Sequence, residues 1–323
     1  MIRQVVAFGS LLLFSIALLT TQCTSPTQEE GVYLFSYFMG NGEDGLHLAW
    51  SEDGLNWQAL NNGQSYLQPQ VGENKLMRDP CITQTPDGTF HMVWTTSWTG
   101  QTIGYAHSDD LVNWSEQKAI PVMAYEDSVR NCWAPEINYI PESEQFILYW
   151  SSTVTDQFLE TANSTEDSTQ RNHRIYYTLT SDFEDFSPTE VLYDPGFNAI
   201  DASIYPLDDR YLMFIKDETE LPEAQKNISI AYADKITGPY EIAGEPITGD
   251  YWAEGPTAIQ IGGKWHVYFD KYRKGEFGLL VSDDLQSWEE QSEPLNMPEG
   301  IRHGTVFRVS RSLLQRLQGQ ARE

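Results

Sequence analysis

The feature that most constrains the fold is a repeat that occurs five times along the 323 residues. Each copy has an alternating strand, a polar turn rich in Ser and Asp, and an aromatic residue that opens a second short strand. The copies span residues 46–57, 103–114, 175–186, 228–240 and 277–288. A repeat spaced roughly 50–70 residues apart and built only from short strands is typical of a β-propeller.

The order of the predicted strands also predicts how the propeller closes. The last inner strand, residues 304–309, has no partner strands after it, and the first strands, residues 32–37 and 46–50, have no inner strand before them. Pairing the two ends in one blade would remove the free strand edges. The sequence therefore predicts an all-β, five-bladed β-propeller over residues 31–309, with the last blade closed by N- and C-terminal strands. We expect residues 310–323 to form a short C-terminal helix or a tail.

The N-terminus has the features of an export signal. Arg3 supplies a positive charge, and residues 5–19 form an apolar run that is short for a membrane span. We expect residues 1–22 to be a lipoprotein-type signal peptide, with Cys23 lipid-modified as the membrane anchor and residues 23–30 as a polar tether; ordinary secretion is the alternative. Either would place the protein outside the cytoplasm, in a bacterial periplasm or anchored to the outer membrane.

The net charge of −27 excludes some classes of partner. Binding to nucleic acid requires an excess of Lys and Arg that neutralises phosphates, and this chain has the opposite balance. The composition therefore favours neutral ligands. It gives no indication of oligomeric state.

Two cysteines, Cys81 and Cys132, lie near the start of consecutive inner strands. In an exported protein they would be able to pair as a disulfide. The alternative is that both are small buried hydrophobic residues. The sequence leaves both readings open.

Each predicted inner strand opens with a titratable residue. These residues are Asp79, Glu136, Asp201, Glu254 and His303. In a propeller the starts of the inner strands meet near the axis at one mouth, where four carboxylates would raise one another's pKa values. A single acidic residue at a strand start is usually part of a turn. Four at equivalent places in four blades indicate a functional site.

The chain resembles glycoside hydrolase family 43, a family of five-bladed propellers. The resemblance covers nearly all of the chain after the predicted signal and rests on short segments in the family's order and blade positions. They are Arg78-Asp79-Pro80, Trp133-Ala134-Pro135-Glu136, Ile200-Asp201-Ala202-Ser203, Glu254-Gly255-Pro256-Thr257 and His303.

The resemblance implies hydrolysis of a glycosidic bond with inversion. It implies Asp79 as the general base, Glu254 as the general acid, and Asp201 as the carboxylate that raises the pKa of the acid and orients it. Such a reaction needs an ionised carboxylate to activate water and a protonated one to donate to the leaving oxygen, about 6.5–9.5 Å apart. Opposite sides of a propeller mouth supply that separation.

The resemblance also implies supporting residues. His303 matches an axial histidine beside which many members hold a calcium ion or a water cluster, although no cofactor is expected to be required. Glu136 matches a position that shapes the sugar site. Aromatic residues stack on sugar faces and Arg donates to hydroxyls. The substrate-binding candidates on this face are Trp98, Trp133, Tyr272, Arg78 and Arg302, followed by Trp252 and Arg273.

The resemblance thus implies an exo-acting enzyme that removes terminal arabinofuranose, xylose or galactofuranose from an oligo- or polysaccharide of the plant type. One alternative is a retaining fructan-type hydrolase, but the Asn-Asp-Pro-Asn and Glu-Cys motifs of that family are missing. Another is a glycan-binding propeller lipoprotein without catalysis. The presence of Asp79, Asp201 and Glu254 argues against that alternative.

Overall fold

The computed structural model describes residues 31–162, 165 and 171–320. The predicted signal peptide, the tether and Cys23 lie outside the described residues and stay predictions. Among the described residues, no helix combines the length and apolar character needed to cross a membrane.

The regular structure of the described chain is mostly β-strand. In chain order the strands are β1 (Val32–Tyr37), β2 (His47–Ser51), β3 (Gln58–Ala59), β4 (Arg78–Gln84), β5 (Phe90–Thr95), β6 (Ile103–Ser108), β7 (Lys118–Ile120), β8 (Trp133–Ile140), β9 (Gln145–Ser152), β10 (Arg174–Thr180), β11 (Glu190–Tyr193), β12 (Ala199–Pro206), β13 (Tyr211–Asp217), β14 (Asn227–Ala233), β15 (Glu241–Ile242), β16 (Glu254–Ile261), β17 (Lys264–Lys271), β18 (Glu276–Ser282), β19 (Glu289–Glu290) and β20 (Thr305–Val309). One α-helix, α1, spans Arg311–Gln320, and short 3-10 turns span Asn61–Gly63 and Leu159–Thr161.

These strands form five four-stranded antiparallel sheets, each of which is one blade. Blade 1 has the order β20-β1-β2-β3, blade 2 is β4–β7, blade 3 is β8–β11, blade 4 is β12–β15 and blade 5 is β16–β19. Strand β20 pairs with β1 from Val32↔Val309 to Ser36↔Thr305. The predicted five-bladed propeller, closed by strands from both ends of the chain, is therefore confirmed.

The repeated polar turn follows the third strand of four blades and is stabilised locally. In blade 1, Ser51 Oγ accepts from the backbone N–H of Gly54, and Asp53 Oδ1 accepts from the N–H of Leu55 and Asn56 at 2.8 Å each. The indole of Trp57 then donates to the Gly54 carbonyl. Ser and Asp recur in the repeat because their side chains satisfy turn N–H groups.

The hydrophobic core lies between neighbouring blades. Each of the five buried apolar clusters draws its residues from two adjacent sheets, so the ring has five such interfaces. Helix α1 adds Leu313, Leu314 and Leu317 to the cluster between blades 1 and 2. Cys81 and Cys132 are free thiols buried in the cluster between blades 2 and 3, so they act as small hydrophobic residues.

Candidate active site

The inner strands of blades 2 to 5 open with the same four-residue bulge. In each, the pairing with the second strand shifts between the first and fourth residues, which are Arg78/Cys81, Trp133/Glu136, Ile200/Ser203 and Glu254/Thr257. The second residue has a positive φ, namely 51° at Asp79, 44° at Ala134, 54° at Asp201 and 61° at Gly255. Bulges redirect side chains, and positive φ at non-glycine residues is strained and concentrates at functional sites.

The bulge corrects the prediction that the four carboxylates occupy equivalent places. Glu254 is the first residue of its bulge, Asp79 and Asp201 are second, and Glu136 is fourth. The extra residue of a bulge breaks the simple alternation of side chains along a strand, so these positions face different regions. These four carboxylates, here called the acid ring, therefore come from three different positions of the same repeated bulge.

A cavity of about 380 Å³ lies where these strand starts meet. Residues from all five blades or their loops surround it. Most of the predicted site residues line it, namely Asp79, Asp201, Glu254, His303, Arg78, Arg302, Trp98 and Trp133. Glu136 and Tyr272 are not among its lining residues.

Asp79 is bound on both oxygens. Thr95 Oγ1 donates to Oδ2 at 2.8 Å, and His303 Nδ1 lies 3.4 Å from Oδ1. Burial raises the pKa of Asp79, but the hydrogen bond and charge of His303, the charge of Arg78 and the Thr95 hydroxyl outweigh it and lower the pKa to about 2. Asp79 is therefore ionised at neutral pH, the state in which a carboxylate can accept a proton from water.

Asp201 connects the acid ring to the backbone of blade 5. Its Oδ2 accepts from the N–H of Gly255 at 3.0 Å, directly after Glu254, and its own N–H donates to Ser151 Oγ at 3.2 Å. Burial raises the pKa of Asp201 to about 6, against the opposing charges of His303 and Lys216. The environments of Asp79 and Asp201 thus separate the pKa values of two carboxyls at the same bulge position.

Both oxygens of Glu254 accept hydrogen bonds from cations. Lys216 Nζ donates to Oε2 and Arg302 Nη2 donates to Oε1, each at 3.1 Å. Arg302 is fixed in turn because its Nε donates to Asp270 Oδ2 at 2.7 Å. The Glu254 side chain is 21% exposed, so it still reaches the cavity. Sequence reasoning missed Lys216 and Asp270.

Lys216 and Asp270 belong to a second polar ring at the ends of the second strands. Each member is the strand partner of the first residue of one bulge. The members are Thr95, Ser151, Lys216 and Asp270. Each side chain contacts the next blade: Thr95 accepts from the Ala134 N–H, and the other three contact Asp201, Glu254 and Arg302. A polar residue at the last or penultimate position of a mostly apolar strand is the sequence signal for this ring.

His303 lies among carboxylates that favour its protonated ring, and a calcium or water site beside it stays a prediction. Burial lowers its pKa, but the hydrogen bond to Asp79 and the charges of Asp201, Asp79 and Glu136 raise it to about 9. A protonated imidazole has no lone pair for a metal, and calcium prefers six to eight oxygen ligands. Within the described ranges, no three His, Cys, Asp or Glu side chains are grouped to hold a metal. The hydrogen bond to Asp79 and the neighbouring carboxylates thus favour a positively charged ring.

Glu136 is buried outside the cavity lining. Only 8% of the residue is exposed, and Cys81 Sγ donates to its Oε2 at 3.2 Å. Burial raises the pKa of Glu136 to about 7, and the charge of His303 opposes that shift. The structure therefore places Glu136 beside Cys81 in the interior rather than on the surface that a sugar would contact.

We expect Glu136→Gln to stabilise the protein at alkaline pH. The folded-state pKa of Glu136 lies above its unfolded value, so the contribution of Glu136 to stability is lost as the pH rises from about 4 through about 7, and Gln does not titrate. The free energy of unfolding of the variant, relative to wild type, should increase by about 2 kcal/mol between pH 5 and pH 8. Urea unfolding at both pH values, with exposed Glu142→Gln in the same blade as control, measures this. A difference in the free energy of unfolding between variant and wild type that is the same at both pH values would contradict this prediction.

Two tryptophans form one wall of the cavity. Their rings are perpendicular, with centroids 5.5 Å apart, and Trp98 is 42% exposed. Trp133 Nε1 donates to the Trp98 carbonyl and Trp98 Nε1 donates to Asn41 Oδ1, while the Arg78 guanidinium carbon lies 4.4 Å from the Trp98 ring centroid. The indoles are therefore held in place, and the exposed face of Trp98 is available to stack on a sugar.

The other aromatic candidates contact one another rather than the cavity. The Tyr272 ring lies 5.9 Å from that of Trp252 and 4.8 Å from Lys216 Nζ. The Arg273 guanidinium carbon lies over the Trp252 ring. In the structure, Tyr272 packs next to Lys216.

Comparison with known proteins agrees with this architecture. Residues 29–314 match the family model described as "Probable glycosyl hydrolase domain", a family related to glycoside hydrolase family 43. An α-L-arabinofuranosidase of Bifidobacterium longum subsp. longum is 22% identical over 198 residues, which cover 55% of this chain and 18% of that protein. The chain thus spans only a small part of that curated relative.

Two crystal structures share the fold. A thermostable family-43 glycoside hydrolase superposes with a TM-score of 0.54 at 18% identity and covers 71% of this chain and 81% of that one. The α-L-arabinofuranosidase of Lactobacillus brevis gives 0.50 at 18% identity, covering 68% and 73%. Because the family model spans nearly all of the described propeller, the chain belongs to this family of glycosyl hydrolases related to glycoside hydrolase family 43.

Proposed function

We propose that the protein is an exo-acting glycoside hydrolase that works with inversion. Asp79 acts as general base, Glu254 as general acid, and Asp201 positions Glu254 and adds negative charge beside it. The observation that carries the proposal is that these three carboxylates come from three blades and line one cavity. Membership of the glycosyl hydrolase family supports the reaction class.

Asp79 is suited to activate water. His303 and Arg78 stabilise its ionised form, and Thr95 fixes one oxygen. Water placed between Oδ1 or Oδ2 and the anomeric carbon would transfer a proton to Asp79 as it attacks. The new C–O bond forms on the face opposite the leaving group, so the sugar is released with inverted configuration.

Glu254 is suited to protonate the leaving oxygen from the other side. The proton moves from its carboxyl to the glycosidic oxygen as that C–O bond breaks. Arg302 and Lys216 fix its orientation, and Asp201 holds the backbone that follows it.

The shape of the cavity supports attack on a terminal sugar. Side chains from blades and loops around the whole ring line it, including Asn41 of blade 1, Trp133 of blade 3 and Glu218 of blade 4. A cavity of about 380 Å³ lined from several blades is suited to one terminal sugar unit, and on this ground we propose exo action. The candidate sugars are arabinofuranose, xylose and galactofuranose, and the two similar proteins named as arabinofuranosidases favour the first.

The test is the anomeric configuration of the first-formed product. A panel of aryl furanosides and pyranosides, followed by arabinan, arabinoxylan and galactan, identifies the sugar, and proton NMR within the first minutes of reaction should show the inverted anomer. A retained anomer would contradict the mechanism and favour the fructan-type alternative. Binding to a glycan with no turnover across the panel would favour the non-catalytic alternative.

A further inference from the structure

We propose that Lys216 and Glu218 form a positioning pair that controls the protonation of Glu254. The inference rests on the proposed function, because it concerns how the proposed general acid acquires and keeps its proton. Neither side chain lies in the five motif segments. Both were found only from their contacts in the folded chain.

Lys216 lies at the end of β13 and is almost completely inaccessible, with 1% of its side chain exposed. Its ammonium donates a hydrogen bond to Glu254 Oε2 at 3.1 Å. Nζ is closer to Glu218 Oε2, with which it forms an ion pair at 2.6 Å. One buried cation thus has two acidic partners, and Glu218 is the nearer of them.

Glu218 is the partner that connects this pair to the cavity. It is one of the cavity-lining residues, its side chain is 24% exposed, and its other oxygen accepts from Lys226 Nζ at 2.8 Å. Burial raises its pKa, but the charges of Lys216 and Lys226 outweigh that effect and lower it. Glu218 is therefore a stable anion that competes with Glu254 for Lys216.

This competition addresses a chemical requirement of the mechanism. A general acid must carry a proton, yet both oxygens of Glu254 accept hydrogen bonds from cations. When Glu254 Oε2 takes a proton, the Lys216 ammonium can turn its donor to Glu218, which is already within reach. The lysine stays charged, because Glu218, Glu254 and Asp201 raise its pKa against the effect of burial.

Charged and titratable groups surround Glu254 and its lysine partner and come from several strands and loops. Two are cations and three are carboxyls, with one phenol. They are Lys216 of β13, Arg302 before β20, Glu218 after β13, Asp201 of β12, Asp270 of β17 and Tyr272 after β17. Removing a cation from this set favours the protonated form of Glu254. Removing the anion that occupies Lys216 favours the carboxylate.

The experiment is the pH dependence of kcat/KM with the saccharide substrate, whose alkaline limb reports loss of the acid's proton. We expect Lys216→Met to move this limb to higher pH by about 1 unit and Glu218→Gln to move it to lower pH by about 1 unit. Lys216→Arg keeps the charge and should leave the limb near its wild-type position. Circular dichroism and thermal melting establish that each variant is folded.

A purely structural role would lower the rate at every pH without opposite shifts, and a pure substrate contact at Glu218 would raise KM alone. Lys271→Met is the matched control, because Lys271 is another mostly buried lysine, paired with Glu290 in blade 5. It should leave the limb unchanged. If Lys216→Met does not fold, the downward shift in Glu218→Gln still decides the matter.

The failure of this inference differs from the failure of the proposed function. An alkaline limb that persists in the residual activity of Glu254→Gln would mean that Glu254 is not the acid, which overturns the proposed function. If Glu254→Gln removes the alkaline limb, but neither Lys216→Met nor Glu218→Gln moves it, only the positioning pair is overturned. Shifts of the two variants in the same direction also overturn it.

Discussion

Replacing Glu254 with Gln is expected to lower kcat on the saccharide substrate by about a thousand-fold, within the range that general acid catalysis contributes. The amide has the size of the carboxyl and its oxygen can still accept from Arg302 or Lys216, but it has no acidic proton to give to the leaving oxygen. An aryl glycoside whose leaving group is a weak base needs little protonation. The same variant should therefore lose much less activity on that substrate.

Steady-state rates on both substrates measure this difference. Glu289→Gln, an exposed Glu of the same blade, is the matched control and should behave as wild type on both. Equal losses on the saccharide and on the activated aryl glycoside would mean that Glu254 acts in some other way than as proton donor. Wild-type rates on the saccharide would remove it from the reaction altogether.

The fold could be predicted from the sequence because its signals are local. Each repeat closes a turn within a few residues, as Ser51, Asp53 and Trp57 do, so the same residue types recur at the same spacing. Closure of the ring follows from strand counting, since unpaired strands at both ends leave β1 and β20 as partners. Neither inference depends on side chains that are distant in sequence.

The sequence predicted which carboxylates belong to the site, but not where the bulge places each of them along its strand. The strand starts identified Asp79, Asp201 and Glu254, and the structure brings all three to the cavity. The bulge was not predicted, because positive φ at Asp79 and Asp201 does not have the glycine signal that usually marks it. Glu136, at the fourth bulge position, was therefore expected at the sugar site and is instead buried beside Cys81.

Residues that act on a neighbouring blade were missed for a different reason. Lys216 is the penultimate residue of β13 in blade 4, and its partner Glu254 is the first residue of β16 in blade 5. Contacts between blades depend on how two sheets pack, and nothing in either strand alone encodes the pairing. The signal that remains in the sequence is the cost of burying a charge, which predicts that a lysine inside an apolar strand has an acidic partner somewhere.

Replacing Asp79 with Asn is expected to lower kcat on both kinds of substrate, again by about a thousand-fold. Water must be activated whichever group leaves, so the loss should not depend on the leaving group. The amide keeps the size of the side chain and can still accept from the Thr95 hydroxyl. It lacks the negative charge that His303 and Arg78 stabilise in the wild-type carboxylate.

The contrast between the two variants is sharper than either loss alone. If Asp79 is the base and Glu254 the acid, an activated aryl glycoside should recover much of the lost rate in Glu254→Gln and little of it in Asp79→Asn. Asp87→Asn, at an exposed turn of the same blade, controls for loss of a carboxylate, and thermal melting controls for folding. A strong recovery in Asp79→Asn would assign proton donation to Asp79 and reverse the two roles. An unchanged rate in Asp79→Asn would leave the cavity without its base, because burial raises the pKa of Asp201, the other carboxyl at that bulge position.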